Sequence, residues 1–177
     1  MTTAEYLNTP ESTLPSELAF GELRVADAPS APHQRIVREL LLALAADVED
    51  RQAGEVLCAP VDVVLDFAAN LVVQPDVLFV SQSRREIVRD RIYGAPDLVV
   101  EVLSPGPRVG RLEERVGWFA RYGVRECWLV SQPEKQIVVL TLSDRGVVGR
   151  AAFSGNQPIL SEVLPGTRVT AFRTFGY

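Results

Sequence analysis

Lysine is almost missing from this chain. Of the 18 basic residues only Lys135 is a lysine, so any chemistry that needs an amine must use Lys135 or do without. Histidine is as scarce, with His33 alone. A single distant histidine and the lack of nucleophile-elbow glycines argue against a hydrolase triad at Ser104. The two cysteines, Cys58 and Cys127, sit in apolar strand-like runs without metal-ligand spacing and read as small buried hydrophobes. Neither a disulfide nor a zinc site is expected. No apolar run approaches the roughly 20 residues of a membrane span, and polar Thr2, Thr3 and Glu5 stand where a leader would carry a basic region. These absences predict a soluble, cytoplasmic protein with no membrane partner. The net charge of −5 argues against wholesale coating of nucleic acid, although a local arginine patch can still track phosphates.

What is present suffices for one well-covered core: 177 residues at 47% hydrophobic predict a single domain over 1–177. Residues 1–19, with Pro10 and Pro15, read as an arm packed on the surface. Residues 20–25 alternate as a strand. Pro32 then opens a helix in which Ile36, Val37, Leu40, Leu41, Leu44 and Val48 recur at helical spacing before a stop at Gly54. Residues 55–66 and 71–81 read as two strands around a turn at Asn70, with pairing interrupted at Pro75. Arginine-rich 83–93 reads as a short helix with a solvated face. A second amphipathic helix spans 111–122, turning Leu112, Arg115, Val116 and Phe119 inward and ending at Gly123. A buried strand at 127–130 follows, then a hairpin of 136–142 with 146–153, and residues 159–172 end the sheet. The order α-β-β-β-α-β within 32–130 makes the sheet mixed.

One strand carries a contradiction. Leu98, Val99, Val100, Val102 and Leu103 are apolar on both parities, as in a strand covered on both faces, yet Glu101 interrupts them. An ionised group there costs several kcal/mol unless it is paired or bound to a cation. Asp76, on the preceding strand, can face Glu101 across one spacing of about 4.8 Å. Two carboxylates that close repel unless a divalent cation lies between them, and hard oxygen donors suit Mg²⁺ or Mn²⁺. The other reading leaves Asp76 and Glu101 as buried acids satisfied by an arginine such as Arg115. Asp97, four residues before Glu101 and so roughly 13 Å away, is expected to make local backbone hydrogen bonds. His33 reads as a satisfied or exposed histidine, and Glu22 as a cleft residue or a solvent-facing strand residue.

Gln74-Pro75-Asp76, the run Ala95-Pro96-Asp97-Leu98-Val99-Val100-Glu101-Val102-Leu103-Ser104-Pro105, and Tyr122-Gly123-Val124-Arg125-Glu126-Cys127-Trp128-Leu129-Val130 resemble the Uma-type restriction-endonuclease-like proteins of the PD-(D/E)xK nuclease superfamily. The likeness runs from about Glu5 through the last strands. It implies an α/β restriction-endonuclease-like core, a mixed sheet flanked by helices with extra strands at both ends. It also implies Mg²⁺ or Mn²⁺ held by Asp76, Glu101 and the Val102 carbonyl, DNA as substrate, and a homodimer by analogy with many members. The superfamily's lysine would fall at Leu103, and this branch displaces it to the position of Arg115, with an acid at the position of Arg111. Both positions depart from the pattern, and Lys135, beyond the next strand near Pro133, cannot replace the amine. An arginine can stabilise phosphate charge but cannot lose a proton to water. The sequence therefore supports a metal-dependent endonuclease with Asp76, Glu101 and Arg115 at its centre. A catalytically silent binding or assembly module on the same fold is the alternative.

Overall fold

The computed structural model describes residues 1–10, 14–103 and 112–176. Ser104, Pro105 and Arg111 lie outside them. The elements in chain order are α1 (Thr3–Leu7), β1 (Ser16–Ala19), β2 (Glu22–Val25), α2 (Ala31–Asp50), β3 (Gly54–Cys58), β4 (Val63–Asp66), β5 (Leu71–Val73) and β6 (Val77–Ser81). A 3₁₀ turn (Gln82–Ile87) precedes β7 (Ile92–Tyr93), β8 (Leu98–Leu103), α3 (Leu112–Tyr122), β9 (Glu126–Ser131), β10 (Gln136–Ser143), β11 (Gly146–Ser154) and α4 (Ala171–Phe175).

α2 forms where the apolar spacing puts it, and its ends have visible causes. The Ser30 hydroxyl accepts from the His33 amide, and Pro32 occupies the first turn, where a missing N–H costs nothing. The far end stops before Gly54, whose φ of +155° and contact with the Val80 carbonyl leave no room for a side chain.

Six strands in the order β11-β10-β9-β8-β6-β3 make the larger sheet, and β2-β1-β5-β4-β7 the smaller. β8 and β9 pair in parallel, which requires a crossover, and α3 supplies it. β8 is covered on both faces. Leu98, Val100 and Val102 pack with α2 residues such as Leu40 and Leu44, while Val99 packs with Phe119 of α3 and with Val63, Leu71 and Val73 of the smaller sheet. α3 and the smaller sheet thus pack on the same face of the larger one, the face to which Glu101 points.

The predicted strands over 55–66 and 71–81 each divide in two. Pro60 and Pro75 have no N–H to donate, and at each the chain leaves one sheet for the other. The residues read as an N-terminal arm supply α1 and β1, and β1 pairs with both β2 and β5. Residues 159–172 do not form the final strand that was expected. Ile159, Leu164 and Val169 are buried against the larger sheet from an irregular segment, with a single bridge between Pro158 and Thr170 before α4. No helix among the described residues is long and apolar enough to cross a membrane.

Candidate active site

Gln74-Pro75-Asp76 is the strap by which the chain passes from the smaller sheet to the larger. β6 pairs antiparallel with β8 through Val77 and Val100, and the same register continued by one residue sets Asp76 opposite Glu101. Asp76 is anchored there. Its Oδ2 accepts from the Val102 amide at 2.7 Å, and its Oδ1 lies 3.1 Å from His33 Nε2. An ionised carboxylate only accepts, so against it the imidazole carries its proton on Nε2. His33, buried in the first turn of α2, is thereby a member of the site.

Glu101 is buried at 1% exposure, and Arg115 pairs with it. Arg115 Nε donates to Glu101 Oε1 at 2.8 Å, while Nη1 donates to Glu17 Oε2 at 2.6 Å. The guanidinium also stacks 5.4 Å from the centroid of the Phe119 ring one turn further along α3. Burial alone would lower the Arg115 pKa; Glu101 and then Glu17 outweigh it and hold the pKa above the usual arginine value. The group is a permanent cation shared by two acids.

Glu17 is the member that sequence reasoning missed. It is buried in β1, and its second oxygen, Oε1, accepts from the Gln74 amide at 2.6 Å. The available signal was an acid next to Leu18-Ala19, just ahead of a tight turn at Phe20-Gly21, where both residues have positive φ.

The other candidates lie elsewhere. Asp97 sits at the opposite end of β8, fully buried, where Oδ2 accepts from the Ser81 amide and Oδ1 lies 3.3 Å from both Arg84 and Arg125. Its partners come from other elements, so it is a tertiary anchor in place of the local strand-start residue expected. Glu22 is exposed and pairs with Arg24. In the arginine-rich stretch, Arg85 faces Glu55 and Arg91 faces Asp62 and Asp90. Both cysteines are free thiols, and burial raises the pKa of each.

In chemical type the acids suit a hard cation, since a carboxylate oxygen that accepts one hydrogen bond keeps acceptor capacity. In number they are few: among the described residues no three His, Cys, Asp or Glu side chains are grouped to hold a metal ion. Glu101 would have to serve a cation and Arg115 together.

A mixed sheet with a parallel crossover through α3 and an acid on its central strand opposite another is the arrangement of a restriction-endonuclease-like α/β fold. A crystal structure of "a putative nuclease belonging to DUF820" from Anabaena variabilis has the same fold, with a TM-score of 0.81 at 17% identity over 99% of this chain and 97% of that one. The family model described as "Uma2: Putative restriction endonuclease" matches residues 3–172, and the chain belongs to that family. No curated protein matches it.

Proposed function

We propose that the protein is a divalent-metal-dependent endonuclease acting on DNA phosphodiester bonds, with its activity kept weak by Arg115. The observation that carries this reading is the seat of Asp76, opposite Glu101 in register and bonded to the amide of the next residue, Val102. Membership of the family supplies the class of reaction. Mg²⁺ or Mn²⁺ held by Asp76, Glu101 and the Val102 carbonyl would polarise a phosphodiester and lower the pKa of a bound water. The residues themselves do the rest. His33 and the Val102 amide orient Asp76, and Arg115 offers a fixed positive charge to a phosphate oxygen but no ammonium that could exchange a proton with water.

A second reading, a silent binding or assembly module on the same fold, is favoured by one specific observation. Arg115 is bound to Glu101 and Glu17 at once, which neutralises Glu101 without any metal. Melting in Mn²⁺ separates the two. A cation that binds only the native state stabilises it by about 2.7 kcal/mol at a hundred times its Kd. The nuclease reading predicts a rise in Tm with Mn²⁺ for the wild type and none for Glu101→Gln. A Tm insensitive to Mn²⁺ in both proteins puts the module reading first.

A further inference from the structure

We propose that Glu17 is a positioning residue of this site: by holding Arg115 Nη1 it fixes the guanidinium plane against Glu101 and turns the remaining edge of the fork toward a bound phosphate. The phosphate contact belongs to the nuclease reading above, on which that half of the role rests.

A guanidinium tied at one nitrogen can still swing about its Cδ–Nε bond. Tied at Nε by Glu101 and at Nη1 by Glu17, it cannot, and among the described residues Nη2 is the nitrogen left for an oxyanion. Glu17 is itself held from two sides. The Gln74 amide fixes its other oxygen, and Gln74 belongs to the same strap that delivers Asp76 to Glu101. The hairpin of β1 and β2 is clamped to α3, the helix that carries Arg115. Phe20 meets the Trp118 ring edge-on, with centroids 5.6 Å apart, and Arg24 lies 5.7 Å over the same ring. Both contacts fall three residues beyond Arg115, one turn along the helix. One strand of the smaller sheet therefore sets the cation that faces Glu101 of the larger sheet.

Simple electrostatics and positioning predict opposite signs for Glu17→Gln. Removing a negative charge near a polyanion should tighten DNA binding. Losing the hold on Arg115 should weaken it. The test has a DNA-free arm, hydrogen exchange of the Arg115 Nε–H by ¹⁵N NMR, with the signal assigned by its absence in Arg115→Gln. Exchange is expected to quicken about tenfold in Glu17→Gln as the hydrogen-bonded state opens more often. Glu17→Asp, which keeps the charge but shortens the reach, should do the same and is the variant to read if the amide variant does not fold. An unchanged exchange rate in the folded variant overturns the proposal.

In the DNA arm, fluorescence anisotropy of a labelled duplex in Ca²⁺ should show Glu17→Gln and Arg115→Gln each weakened about tenfold, the size expected for one charge-assisted hydrogen bond. The double variant should be no weaker than either single one. Tighter binding by Glu17→Gln overturns the positioning role. A wild type that binds no duplex overturns the nuclease reading and the phosphate half of this role with it, while the exchange rate still decides whether Glu17 holds Arg115.

Discussion

Glu17, Arg115 and Glu101 place three charges in a space that water barely reaches, and magnitudes decide what that means. An exposed ion pair is worth about 0–1 kcal/mol, whereas removing one partner of a buried one costs about 3–5 kcal/mol because the other charge is left behind. Both acids and the guanidinium are buried, so the triad belongs to the second case. Arg115 is a structural cation first, whatever it offers a phosphate. Glu126 is the contrasting buried acid. Among the described residues it has no cationic partner; Ser161 Oγ, the Glu162 amide and Trp128 Nε1 donate to it. Burial raises its pKa above the ordinary 4.5, with these donors pulling back. A carboxyl raised in the folded state contributes stability that is complete below the unfolded value and is lost as the pH rises through the folded one. Glu126→Gln, which stays neutral, should therefore gain in Tm relative to the wild type as the pH goes from below 4.5 to neutral. Paired melts across that range check this, and a difference moving the other way would contradict it.

Elements differ in how far the sequence revealed them. α2, α3 and β8 were legible because each meets a simple demand, a helical stripe for one sheet face or an apolar run covered on both sides, although Leu112, expected to face inward at the start of α3, is exposed. The divisions at Pro60 and Pro75 were harder to see, since the apolar pattern continues through both prolines while the chain changes sheets. β1 was hidden by its length of four residues in a proline-bearing stretch, and Glu17 was hidden with it. Residues 159–172 misled because Ile159, Leu164 and Val169 are buried as strand residues would be, but from an irregular segment. The start of β3 gives a prediction on this scale. A Cβ at Gly54 would stand 2.1 Å from the Val80 carbonyl oxygen, in the ladder that joins β3 to β6. Gly54→Ala should cost about 3 kcal/mol in urea unfolding, as backbone strain of this kind does, and a loss below about 0.5 kcal/mol would show that β3 can shift freely.

On the scale of the molecule, the site is where the two sheets and α3 come together. The smaller sheet brings Glu17, the larger brings Glu101 and Asp76, α2 brings His33, and α3 brings the cation. Glu101 was legible because an acid has no place in an apolar strand without compensation, and Arg115 because helical spacing turned it inward. Their direct pairing was the alternative the sequence kept open. Arg115 holds Glu101 and Glu17 at once, and under the proposal above an arginine where the resembling family keeps a lysine is what holds cleavage down. Nicking of supercoiled plasmid in Mg²⁺ or Mn²⁺ tests that claim most directly, with wild type, Arg115→Lys, Arg115→Lys combined with Arg111→Asp, and Glu101→Gln added to the most active of them. Cleavage should rise when the lysine is restored, by about 10²-fold, the low end of what a general acid–base group contributes, and should vanish with Glu101→Gln. Equal background nicking by all four proteins would contradict it and mark the site as vestigial.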